Sequence, residues 1–261
     1  EQFREAALGI EAELGKADSL VMQLRGDNRT RLRIGAPSYT TRVAARLQIL
    51  SEFAAKHPRV AIDVTYGRTP DKLEELRRGD LDVVFATDPE SLVGLESIVI
   101  ARSTTCILIP EGHRLAAMSE VPISAISGET VICMPRGSMP VGYFDRWYGK
   151  VVEAGGILLE APETDNFAQT HFAAARGALV VTYKWQTGLD RSAGAMVTRP
   201  LIDGPAGCEL HLVRRNSLHS LALEWFWGVA LRYEAPPEAP PGLQAVSAND
   251  GASNGGHRRH G

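Results

Sequence analysis

Residues 32–86 read LRIGAPSYTTRVAARLQILSEFAAKHPRVAIDVTYGRTPDKLEELRRGDLDVVFA, and the order of apolar runs and breakers in this stretch decides the fold class. Leu32-Arg33-Ile34-Gly35-Ala36 is a strand-type run, and Pro37-Ser38-Tyr39-Thr40-Thr41 is a loop opening a helix that extends to about Lys56. Residues 61–66 alternate apolar with polar side chains, the period of a strand. Residues 71–78 carry Leu73 and Leu76 on one side and stop at Gly79, as a short helix does. Residues 81–86 make a third strand. The order β-α-β-α-β is the unit of a parallel sheet covered by helices.

A second series of the same layout follows. Two extended runs, 97–101 and 105–109, precede a turn at Pro110-Glu111-Gly112-His113. A short strand at 130–134 leads to a helix at 140–154, with Tyr143, Phe144, Trp147 and Val151 at helical spacing. Then come a strand (157–161), a helix (165–176), a strand (178–183), two late strands (196–201 and 209–214) and a last helix (217–234). Ahead of all this, Phe3, Ala7, Ile10, Leu14, Ala17, Val21 and Leu24 are spaced alternately by four and three, the seam of a short coiled coil. A dimerising helix is expected there; an amphipathic helix packed on its own domain is the alternative. The tail from Ala235 is rich in Pro, Gly, Ser and Asn and ends in His257-Arg258-Arg259-His260; it cannot bury a core and is expected to be disordered.

Composition narrows the function. Lys and Arg total 28 against 31 Asp and Glu, for a net charge of −3, which does not describe a dedicated nucleic-acid-binding surface. Cys106, Cys133 and Cys208 are far apart and show no CxxC spacing, so neither a disulfide framework nor a zinc site is suggested. They read as reduced, buried residues, because a redox sensor needs an exposed thiolate beside a cation. No stretch approaches the roughly 20 apolar residues of a membrane span, and no signal-peptide pattern opens the chain. The chain starts at Glu1 and not at Met, so a segment upstream is expected. No GxSxG, HExxH or P-loop string occurs. Accordingly no catalytic residue, metal ligand or cofactor is predicted.

The pieces "LRIGAPSY", "FAAKHPRVAIDVTYG", "LEELRRGDLDVVFA", "ILIPEGHRLA", "AAARGALVVTY" and "LHLVRRNS" are weak one by one and specific in their order. Together, over roughly residues 1–233, the chain resembles the effector-binding domain of LysR-type transcriptional regulators. The resemblance implies an α/β fold like type 2 periplasmic binding proteins, with two α/β lobes joined by crossover strands and preceded by a coiled-coil linker helix. Its expected divisions are 1–27 for the linker, 30–103 with 196–234 for lobe I, 104–195 for lobe II and 235–261 for the tail. It also implies a small-molecule effector, an organic acid or other anion, held in the interlobe cleft. A winged helix-turn-helix outside this chain would bind promoter DNA. The expected assembly is a homodimer, or a homotetramer in the intact protein, with RNA polymerase as a further partner, in the cytoplasm and without membrane contact. The alternative is a solute-binding protein of a transport system with the same fold; the lack of a signal peptide and the coiled-coil linker stand against it.

In an open parallel sheet, ligands bind at the carboxyl ends of strands, where helix N-termini present free N–H groups. Four loops meet that description. Ser38, Tyr39 and Thr40 supply hydroxyls beside a helix start, with plain capping as the other reading. Thr69 matches a position that touches effector in the family, or caps the helix that Pro70 opens. Thr87 stands where some relatives with acidic effectors carry a basic residue. Arg136 is a candidate partner for an anion, with the Gly137 and Ser138 N–H groups beside it, or a surface Arg in a turn. By family position Asn166 and Phe167 complete this wall, and Tyr183 faces either cleft or core. On the 42–56 helix, Val43, Arg46, Ile49, Leu50 and Phe53 are expected at a subunit interface, because Ile49 and Phe53 adjoin the stripe that would serve the sheet. A single wide apolar face is the alternative.

Overall fold

A computed structural model describes residues 31–138, 142–185, 196–217 and 219–236. The expected linker helix and the tail beyond 236 lie outside them. The first half runs β1 (Arg31–Ala36), α1 (Ala44–Lys56), β2 (Ala61–Tyr66), α2 (Thr69–Arg78), β3 (Val83–Thr87) and β4 (Leu95–Pro110). The second half continues with β5 (Val121–Pro122), β6 (Thr130–Cys133), α3 (Tyr143–Glu153), β7 (Ile157–Glu160), α4 (Asn166–Arg176), β8 (Leu179–Trp185), β9 (Met196–Ile202), β10 (Glu209–Arg215) and α5 (Leu221–Ala230). The strand order is β2-β1-β3-β10-β4-β8-β6-β7, with β9 also on β4 and β5 on β9.

In the first lobe, β1 lies parallel to β2 and β3, and β10 is antiparallel to β3. Both faces of this sheet are covered, so the apolar runs continue along each strand. Val83 and Phe85 point to one face with Leu32, Ile34, Leu210 and Leu212, where α1 and α5 pack. Val84 and Ala86 point to the other, against Leu73 and Leu76 of α2. The second lobe repeats the plan. Ile107, Ile109, Val131 and Val181 meet Phe144, Tyr148 and Val151 of α3, while Ile132 and Val180 meet Ala173 of α4.

The lobes are joined by two adjacent stretches of chain. The runs expected at 97–101 and 105–109 are one strand, β4. Its pairing passes without a gap from β10 (Arg102 opposite Glu209) to β8 (Ser103 opposite Trp185). The polar residues that looked like a break are engaged: Arg102 pairs with Glu209 at 2.7 Å, and Ser103 is bonded to Cys208. Three hydrogen bonds hold the crossing. The Ser103 N–H donates to the Cys208 carbonyl (2.9 Å), the Cys208 N–H donates to Ser103 Oγ (2.8 Å), and Ser103 Oγ–H donates to the same carbonyl (3.0 Å). The boundary between lobes also differs from expectation. Met196–Ile202 pairs with the second half of β4 and with β5, so β9 belongs to lobe II and the return to lobe I comes after it, at 203–208.

The face of α1 expected to meet a partner subunit is turned inward. Val43, Ile49 and Phe53 are fully buried and Arg46 is 2% exposed, its guanidinium over the Phe85 ring at 5.3 Å. Leu50 is half-buried against the same core. The reason is α5, which lies on the same side of the sheet and takes the second stripe: Phe53 meets Phe226 edge-on at 5.1 Å. The wide single face is what the structure has. On the outer side, Glu52 accepts hydrogen bonds from Lys56 (2.6 Å), Tyr233 (2.7 Å) and Arg232, tying α1 to the turn after α5.

Two outcomes follow from this packing. A Cβ at Gly207 would stand 2.0 Å from the Ser103 carbonyl oxygen, so Gly207→Ala is expected to cost about 1–3 kcal/mol in denaturant unfolding. The Lys56 hydrogen bond, followed by those of Tyr233 and Arg232, lowers the Glu52 pKa from 4.5 to about 2. Such a depressed carboxylate adds stability above its ordinary pKa and loses it as pH falls towards 2. An NMR titration of the Glu52 carboxyl should therefore show its midpoint near 2 in the wild type and higher in Tyr233→Phe.

Candidate ligand-binding site

A cavity of about 130 Å3 lies between the two lobes. Lobe I contributes Tyr39, in the 3-10 turn after β1, and Thr87, the last residue of β3. Both stand at the carboxyl ends of parallel strands, where the topology opens a crevice. Cys208, beside the crossing, closes one side. Lobe II supplies the larger wall: Tyr143, Trp147 and Tyr148 from α3, Gln169 and Thr170 from α4, and Tyr183 and Trp185 from β8.

The lobe I wall is a hydroxyl relay. The Thr87 N–H donates to Thr69 Oγ1 at 3.2 Å, the Thr69 and Thr87 hydroxyls are 3.2 Å apart, and Tyr39 Oη is 2.5 Å from Thr87 Oγ1. Thr69, in the first turn of α2, thus stands behind the wall and braces Thr87. On the opposite side, Tyr148 Oη accepts the Met134 N–H at 3.1 Å. Burial is the largest cause holding these groups protonated: it pushes Tyr39, Tyr148 and Cys208 each up to about 12, and raises Tyr143 and Tyr183 as well. Among the described residues no Lys, Arg or His lines the cavity.

Of the residues singled out from sequence, Tyr39, Thr87 and Tyr183 line the cavity, and Thr69 supports it. The others stand elsewhere. Thr40 is fully buried and donates to the Pro37 carbonyl at 2.6 Å, closing its own turn. Ser38 is exposed. Arg136 lies over the Phe144 ring at 4.1 Å and 3.8 Å from Glu160, with its side chain 65% exposed. Gly137 shares its exposed turn, and Ser138 Oγ–H donates to the Pro135 carbonyl at 2.6 Å. Phe167 is exposed at the start of α4, edge-on to His171 and beneath Arg42. Asn166 opens α4, and its side chain lies outside the described residues.

The sequence reading missed the α3 aromatics and the Gln169-Thr170 pair. Trp147 and Tyr148 sit in an apolar stripe that also contains true core residues, so periodicity alone does not separate them. A signal was present in α4: two polar residues, both buried, interrupt a helix otherwise rich in Ala and Phe. All three cysteines are buried and none is in a disulfide.

The lobes also touch beside the cavity. Asp88 follows Thr87 with φ 40°, in left-handed backbone. Its N–H donates to the Glu209 carbonyl (3.1 Å), one carboxylate oxygen accepts the Glu209 N–H (2.8 Å), and the other accepts from Arg146 of α3 (3.1 Å). Burial raises the Asp88 pKa above its ordinary value.

Among the described residues no group of His, Cys, Asp and Glu could hold a metal ion, and no helix is long and apolar enough to cross a membrane. The family model described as the LysR substrate binding domain matches residues 25–235. The HTH-type transcriptional regulator MetR of Salmonella typhimurium is 25% identical over 176 residues, covering 67% of this chain and 54% of its own length. The chain thus spans about half the length of the curated relatives it matches. Among solved structures, the BenM effector binding domain with its effector benzoate superposes with a TM-score of 0.65 at 17% identity, over 80% of this chain and 96% of that one. The QuiR effector binding domain in complex with shikimate gives 0.65 at 14%, over 79% and 97%. These two show that the fold is that of effector-binding domains of the type 2 periplasmic-binding-protein kind, with lobes joined by crossovers as described above. With its family model matched from residue 25 to residue 235, the chain belongs to the LysR substrate-binding domain family.

Proposed function

We propose that this chain is the effector-sensing part of a LysR-type transcriptional regulator and that it acts by binding, without catalysis. The observation that carries this reading is the interlobe cavity, walled by Tyr39 and Thr87 from one lobe and by α3, α4 and β8 from the other. A ligand there touches both lobes at once. It therefore biases their relative geometry to the extent that it binds one arrangement better than another. A helix-turn-helix, of the kind the name "HTH-type" gives to MetR, would read promoter DNA in the intact protein and respond to that bias. The protein would work in the cytoplasm, with RNA polymerase a further partner.

Tyr39, Thr87 and Tyr183 are the ligand-contacting residues of this reading, with Thr69 behind them. Self-association fits what α1 leaves outside. Leu47 is 39% exposed on its outer side, and β2 pairs, among the described strands, only with β1. An exposed apolar side chain and an open strand edge suit an isologous dimer contact.

Two experiments test the reading. A calorimetric screen of small aromatic and aliphatic compounds should find a binder whose affinity drops on Thr87→Val, by about three- to tenfold for one hydrogen bond lost. Arg136→Ala should leave that affinity unchanged; the reverse pattern would move the site out of the cavity. In light scattering the chain should be at least a dimer, and Leu47→Glu should shift it towards monomer.

A further inference from the structure

We infer that the effector is an uncharged, single-ring molecule carrying a hydrogen-bond acceptor, and not a carboxylate; this rests on the cavity being the effector site. Size sets the first limit. An engineered protein cavity of about 150 Å3 holds benzene, so about 130 Å3 suits one ring and its substituent. The walls suit a flat partner, since Tyr39, Tyr143, Tyr148, Tyr183, Trp147 and Trp185 all border the space. Rings pack on rings by offset or edge contacts.

Hydrogen counting sets the polarity. The relay of Thr69, Thr87 and Tyr39 holds three hydroxyl hydrogens and makes two oxygen–oxygen contacts. A ligand lone pair can draw one of these hydrogens from Thr87 or Tyr39, the two members of the relay that line the cavity. Across the space, Tyr148 Oη is an acceptor for the Met134 N–H, and its own hydrogen is unspent. Both sides of the cavity can therefore donate, and a ligand oxygen or nitrogen lone pair complements them.

Charge decides which kind of acceptor. Burying an anion is costly without a cation beside it, and no Lys, Arg or His is among the described residues that line the cavity. Arg136, the cation expected from sequence, is out on the surface over Phe144. Arg146 is committed to Asp88 at 3.1 Å, and that carboxylate disfavours a second negative charge close by. A cationic ligand would find no carboxylate among the described lining residues and would compete with Arg146 for Asp88. A carbonyl, amide or ether on a ring meets neither penalty. In this respect the cavity departs from the two solved relatives named above, whose bound molecules, benzoate and shikimate, are both carboxylates.

Three near-isosteric probes differ in charge and in hydrogen-bonding groups: benzoate (−1, acceptors only), benzamide (0, one carbonyl acceptor and an NH2) and benzamidine (+1, donors only). Isothermal titration calorimetry of this chain at neutral pH should find benzamide bound at least about tenfold more tightly than either ion. Tyr148→Phe and Thr87→Val should each weaken benzamide about three- to tenfold, with melting temperature checking that both variants fold. Benzoate or benzamidine binding as tightly as benzamide overturns the inference. If the tighter ion is itself weakened by these two variants, the cavity remains the effector site and only the ligand class falls. If benzamide binds and neither variant weakens it, the site falls too. No heat from any of the three at millimolar concentration overturns both.

Discussion

The three hydrogen bonds between Ser103 and Cys208 fix the arrangement of everything else. They hold the two interlobe crossings side by side, so that the outward and returning chains form a pair of strands and not two loose tethers. Gly207 is required there because the Ser103 carbonyl already occupies the place of a side chain. β4 then serves as a member of both sheets, and each lobe's core grows outward from it. The cavity lies against this crossing, with Cys208 as part of its wall. On the function proposed above, a ligand in the cavity would lie beside the element that joins the lobes.

The cavity is polar without being charged. Its hydroxyls sit among aromatic rings, and burial keeps the phenols and the Cys208 thiol protonated. In such surroundings hydrogen bonds are strong and stray charges are costly. On the function proposed above, recognition would depend on donor direction and ring shape. The relay behind Tyr39 contributes by fixing where Thr87 points, although Thr69 itself does not line the space.

Much of the fold was legible because both lobes obey period-two and period-3.6 patterning. The β-α-β-α-β opening, the late strands and the order of elements all stand in the structure. The failures have particular causes. The polar stretch at Arg102-Ser103-Thr104 reads as a loop only if strands are assumed to need apolar residues; here its polar groups bond across the crossing. The second stripe of α1 was read as a partner contact, because sequence shows that a face is apolar and not what covers it; α5, some 170 residues later, does. At the site, residues at strand ends (Tyr39, Thr87) could be found from topology. The α3 aromatics could not, since Trp147 facing a cavity and Val151 facing the core lie on the same helical stripe. Arg136 was chosen for its charge beside a helix start, and nothing in the sequence reveals that its guanidinium packs on Phe144.

The contact between Asp88 and Arg146 stands in contrast to the crossing. The crossing is covalent chain, pinned by the hydrogen bonds of Ser103 and Cys208. The Asp88 contact joins the lobes through one exposed guanidinium, and such a pair contributes only about 0–1 kcal/mol. At 3.1 Å the two charges sit well inside the roughly 8 Å over which physiological salt screens, so salt weakens this contact without abolishing it: a light latch across two lobes that the covalent crossing already holds together.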